Sequence, residues 1–176
     1  MKKTVLTFGL IAGVTISVLM DTSLLLADKL GSGHSMLLGY TMMVASFMLV
    51  YFGIRSYRDN NLSGKISFGR AFACGILITL ITTVFYVATW EIIYFNFIPH
   101  FMDSYWAAQI RSVQSSGLDP ATIATQVAAI RHSAQLYQNP LVNMAYTFIE
   151  PLPVGLLMTL ISAAILRRKA RVPAQV

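Results

Sequence analysis

Three carboxylates, Asp21, Glu91 and Glu150, stand inside long apolar stretches of this sequence. Acids in such surroundings are costly to keep, and where several gather they bind a cation or relay protons. The plainer reading keeps each at a membrane rim, hydrated or paired with Arg111, Arg131 or a hydroxyl, where a charge costs far less than at the bilayer centre. On either reading these three form the candidate polar intramembrane site. Glu91 is the best placed, flanked by aromatic residues within the apolar run Gly69–Phe97. Glu150 comes next, because Pro151 and Pro153 follow it. The prolines remove two backbone donors and free carbonyls one turn earlier, so the helix should kink or break there. Broken helices of this kind line sites in transporters.

Other reactive residue types carry less. His100-x-x-Asp103 with His132 is too sparse a set, split over two segments, for a metal centre; solvated histidines are expected, with no metal and no cofactor. No serine, histidine and acid are arranged so as to mark a nucleophile, so no catalytic residue is assigned and the chain is read as a non-enzyme. There is no Gly-rich phosphate loop and no nucleic-acid module. The net charge of +6 comes from basic residues scattered between apolar runs, which argues against a nucleic-acid partner. Cys74 is the only cysteine, so no internal disulfide can form.

The elements that hold these residues follow from composition. The chain has 176 residues, 56% hydrophobic and 11% charged, with mean hydropathy +0.64. A soluble domain carries about 25% charged residues. About 20 apolar residues cross a hydrocarbon core, and four runs qualify, at about 4–27, 36–54, 71–97 and 141–166. The first follows Lys2 and Lys3 but is long for a signal sequence and lacks a small-residue cleavage site, so an uncleaved span is expected. Within it Gly9, Gly13 and Ser17 recur every four residues, which places them on one helix face as a packing seam. Gly39, Ser46 and Gly53 suggest a second.

Between the spans, Asp28 to Ser35 reads as a short polar turn, and 55–70 as a cytoplasmic basic loop carrying Arg55, Arg58, Lys65 and Arg70. Anionic lipid headgroups or a cytoplasmic partner are possible ligands of that loop, beside its plain role in topology. Residues 99–139 are polar enough for water and hold two helical patterns. Met102 to Ser115 carries Tyr105, Trp106, Ile110 and Val113. Beyond Gly117, Asp119-Pro120 is a helix start, followed by the stripe Ile123, Val127, Ile130, Ala134 and Tyr137. The expected fold is therefore all-α. It is a polytopic membrane protein and a single domain, with four transmembrane helices and an extracytoplasmic helical hairpin between spans three and four.

Four spans put both termini on one side. That side holds Lys2, Lys3, Arg55, Arg58, Lys65, Arg70, Arg167, Arg168, Lys169 and Arg171, against Lys29, Arg111 and Arg131 on the other. Basic flanks stay in the cytoplasm, so both termini are expected there. At about 1.5 Å per residue, Asp21 lies roughly 27 Å beyond Lys3, Glu91 roughly 31 Å beyond Arg70 and Glu150 roughly 25 Å beyond Arg167. In a core about 30 Å thick, all three acids should fall near the outer edge. Trp90, Tyr94, Phe95, Phe97, Tyr146 and Phe148 mark the same boundary, as aromatic belts do.

The opening MKKTVLTFGLIAG, the segments FGIRSYRDNNLSGKISFGRAF and TWEIIYFNFIPHFMDSY, the Asn139-Pro140 pair and the closing EPLPVGLLMTLISAAILRRK together resemble a small bacterial membrane protein family catalogued as a domain of unknown function (number 4199). The resemblance covers nearly the whole chain. It implies a bacterial inner-membrane protein with four spans and an outer helical insertion, and it implies no activity. Two functional expectations stand. One is a non-enzymatic protein that assembles in the bilayer with itself or with a membrane-protein partner. The other is a small ion- or proton-linked transporter that uses the carboxylate layer.

Overall fold

The computed structural model describes residues 1–30 and 32–168. Gly31 and, in the closing basic cluster, Lys169 and Arg171 lie outside the described residues. The described residues form seven helices: α1 (Lys2–Leu30), α2 (Ser32–Asn61), α3 (Phe68–Asn96), α4 (Asp103–Gln114), α5 (Pro120–Tyr137), α6 (Pro140–Ile149) and α7 (Leu152–Leu166). Among the described residues four stretches, Lys2–Leu26, Leu37–Asn61, Phe68–Asn96 and Pro140–Leu166, are long and apolar enough to cross a bilayer. The fold is that of an all-α multi-pass membrane protein. The fourth stretch is interrupted at Glu150-Pro151, where α6 ends and α7 begins. Pro151 and Pro153 cannot donate to the helical ladder, and the expected break is found there.

The helix ends differ from expectation at two places. α1 and α2 run into the stretch 28–35 that reads as a polar turn. Continuing the helix keeps backbone groups hydrogen-bonded close to lipid, and that outweighs the turn propensity of the residues. Likewise α2 extends to Asn61, so Arg55 and Arg58 are on its last turns and not in a loop. Lys65 lies in the short connection, and Arg70 in the first turn of α3. That connection reverses at Ser63 and Gly64, whose φ values are 49° and 77°.

The chain divides into two compact units: Met1–Tyr86 with the chain from Phe148 onward, and Val87–Thr147. The first holds α1, α2, the first part of α3 and α7. Close contacts fix their directions. A Cβ on Gly9 would lie 2.9 Å from Ile81, and one on Gly13 would lie 2.5 Å from Phe85, so α1 and α3 run parallel in register. Gly53 meets Phe8 and Ile78, and Gly75 meets Ile54, so α2 is antiparallel to both. Gly155 of α7 meets Phe47 and Thr79, and the Thr79 hydroxyl bonds with that of Thr159 at 3.1 Å. Lys2 and Lys3, Arg55 and Arg58, Lys65 and Arg70, and Arg167 and Arg168 thus gather at one end of this unit. There the Arg168 amide donates to the Ile66 carbonyl at 3.0 Å.

The packing is inverted relative to a soluble bundle. On α7 the inward residues are Gly155, Thr159, Ser162, Ala163 and Leu166, while Leu156, Leu157, Leu160, Ile161 and Ile165 are exposed. On α1 the exposed Leu6, Leu10, Val14 and Val18 lie away from Gly9 and Gly13. Small and hydroxylic residues let backbones approach, and the larger apolar ones face outward, which suits lipid contact.

In the second unit, α4 and α5 pack against one another. They are joined through Gly117, whose φ of 74° is one that residues with a side chain rarely adopt. Asp119 caps α5, its Oδ1 accepting from the Thr122 amide at 2.9 Å. Pro120 occupies the first helical position, where its missing donor costs nothing.

Candidate functional site

The second unit builds its polar chemistry around α3, where Trp90 and Tyr94 sit one turn apart and stack with ring centroids 5.5 Å apart. Tyr137 at the end of α5 meets Tyr94 edge-on at 5.6 Å and Trp106 of α4 at 6.0 Å. Phe101 closes on Trp90 at 5.9 Å. Two amides tie this cluster together. Gln138 donates from Nε2 to the Tyr94 hydroxyl at 3.1 Å. Asn143 of α6 is fully buried. Its Oδ1 accepts from Trp90 Nε1 at 3.0 Å and from the Thr147 hydroxyl at 3.1 Å, while its Nδ2 donates to the Tyr137 carbonyl at 3.3 Å. Both acceptor positions of that amide oxygen are filled, so Asn143 joins three elements.

Beside this saturated hub lie two unsaturated atoms. Glu91 is half-buried, and its Oε1 is buried with no hydrogen-bond partner. Trp106 Nε1, in the same unit, is likewise buried without an acceptor. One is an acceptor and the other a donor, and buried polar groups left open in this way are uncommon. Neither Arg111 nor Arg131 forms an ion pair with Glu91; elsewhere in the unit His100 Nδ1 lies 2.9 Å from Asp103 Oδ2, within hydrogen-bond distance, with both side chains largely exposed. His132 is exposed. Among the described residues no three histidine, cysteine or acidic side chains come together as metal ligands.

In the first unit Glu150 sits at the α6–α7 break and accepts from the Tyr86 hydroxyl at 3.0 Å. Asp21 is exposed on α1, and no hydrogen bond joins it to Glu150. The packing seam Gly9, Gly13 and Ser17 is occupied within the chain: α3 fills the two glycines, and the Ser17 hydroxyl donates to the Gly13 carbonyl at 3.0 Å. Of the basic set, Arg58 grips Asp59 and Arg55 approaches it at 3.7 Å.

Asn143 and Tyr86 escape a reading that starts from charge. Spacing carried a signal for the first: Asn139, Asn143 and Thr147 stand four residues apart in an otherwise apolar run. A model of the family described as protein of unknown function (DUF4199) matches residues 7–168. No curated protein and no solved structure matches the chain.

Proposed function

This chain belongs to the DUF4199 family, and from that premise we propose that it is a non-enzymatic protein of the bacterial inner membrane that assembles there with a second copy or a membrane-protein partner through α4 and α5. One observation carries the reading: neither helix contains a buried residue, yet both are anchored at their bases through Trp106 and Tyr137 in the aromatic cluster. An element fixed at its root and open along its length suits docking. The excess of basic residues on one side supports cytoplasmic termini, with α4 and α5 on the opposite side. Photo-crosslinkers at Leu118 and Leu136, both exposed, should trap one discrete adduct in native membranes. Twice the chain's mass means a second copy and any other single mass a partner. Lipid adducts alone would end the reading.

The unpartnered oxygen of Glu91 favours a second reading, an ion- or proton-linked transporter in which Glu91 binds the cation or proton. Four spans are few for a carrier, so this version needs a dimer. Glu91→Gln should abolish a proton or cation flux that wild type supports in liposomes; no flux from either protein disposes of it.

A further inference from the structure

The end of α2 sets a largely exposed cation beside an apolar trough. Leu49, Phe52, Ser56 and Asn60 follow helical spacing and share one face. With Phe8 of α1, Arg55 and Asp59 they line an open groove of about 510 Å³. The groove is apolar at Phe8, Leu49 and Phe52 and polar beyond. From Leu49 to Asn60 the helix rises roughly 16 Å, passing from surroundings that suit an acyl chain to ones that suit a headgroup.

Charge decides which headgroup. Asp59 is the groove's acid, and Arg58 already holds it two-pronged, Nε to Oδ1 at 2.7 Å and Nη2 to Oδ2 at 3.1 Å. Arg58 also reaches the Leu166 carbonyl at 3.5 Å. Asn60 donates to the Ser56 hydroxyl at 3.1 Å. Arg55 stands 3.7 Å from Asp59, beyond hydrogen-bond range, with its side chain 56% exposed. Two guanidinium groups therefore share one carboxylate, and the donor fork of Arg55 stays open. A planar fork of this kind matches phosphate oxygens. Basic residues outnumber acids at the end of the unit where it sits, which favours an acidic leaflet.

We infer that this groove binds an anionic phospholipid, with an acyl chain along Phe8, Leu49 and Phe52 and the headgroup phosphate on Arg55. Native mass spectrometry of the full chain, loaded with equal amounts of phosphatidylglycerol and phosphatidylcholine, tests it. One phosphatidylglycerol per chain should be retained in preference to phosphatidylcholine. Arg55→Gln should lower that occupancy about five-fold, the worth of one cation at an acidic surface. Lys65→Gln, which removes a charge away from the groove, should leave it unchanged. Leu49→Trp fills the apolar half, keeps every charge and should also lower retention, which covers the case of an Arg55 variant that does not fold. The inference is overturned by equal retention of the two lipids, by wild-type retention in both groove variants, or by a loss in Lys65→Gln as large as in Arg55→Gln. Displacement by millimolar inorganic phosphate would overturn it too, since a phosphate site alone needs no acyl chain.

Discussion

Asn143 shows how much one buried amide can hold in a membrane-facing unit. Asn143→Ala would leave the Trp90 indole N–H and the Thr147 hydroxyl without their acceptor in a region poor in water. Such unmet groups cost about 1–3 kcal/mol, so the variant should unfold at lower temperature in detergent. Because Trp90 and Trp106 are the only tryptophans, the loss should also shift intrinsic fluorescence. Asp119 makes a different prediction, about pH. The Thr122 hydroxyl and then its amide hold the Asp119 carboxyl below its ordinary 3.8. A lowered value in the folded chain means that the ionised cap stabilises α5 fully above the unfolded value, near 3.9. That contribution fades as pH falls through the lower folded value. Protection of the first-turn amides of α5 against exchange, relative to their intrinsic rates, should therefore fall below about pH 4. In Asp119→Asn, which still caps but does not titrate, that fall should be absent. The acids were legible from sequence because charge inside an apolar run is conspicuous. Their partners were not: Tyr86 lies 64 residues from Glu150, and no local spacing links them.

At the scale of helices, the glycines of α1 separate packing from mere flexibility. A Cβ on Gly13 would lie 2.5 Å from the Phe85 ring, whereas one on Gly39 meets nothing within 4 Å. Gly13→Ala should therefore cost about 1–3 kcal/mol through overpacking, and Gly39→Ala should be neutral or slightly stabilising, since alanine is the better helix former. Denaturant unfolding in mixed micelles measures both, and adding Phe85→Ala to the Gly13 variant should recover part of the loss. The seam itself was visible as a four-residue repeat, but the repeat does not say which helix fills it. The same limit governed helix ends. Pro151 and the Asp119-Pro120 pair mark boundaries by backbone chemistry, and they fell where expected. The polar stretch 55–61 did not end its helix, and α1 and α2 ran further into 28–35 than its residues suggest, because polarity there tells of position relative to lipid and says little about backbone conformation.

For the whole molecule, the alternation of α1, α2, α3 and α7 collects Lys2, Lys3, Arg55, Arg58, Lys65, Arg70, Arg167 and Arg168 at one end of the first unit, as the count of spans implied. If that end faces the cytoplasm, a reporter enzyme inserted at Gly117 should be active only outside it and one fused after Val176 only within. Two reporters in the same compartment would refute the four-span orientation. The parallel pairing of α1 with α3 has a further consequence for biogenesis. α1 leaves the ribosome first, yet the side chains that occupy its glycine cleft, Ile81 and Phe85, belong to the third span. A nascent chain halted at Asn61 holds α1 and α2 with that cleft still vacant. Docking of the glycine face of the earliest helix is thus deferred until a later one arrives, and a closed cleft on α1 is a sign that three spans have entered the membrane.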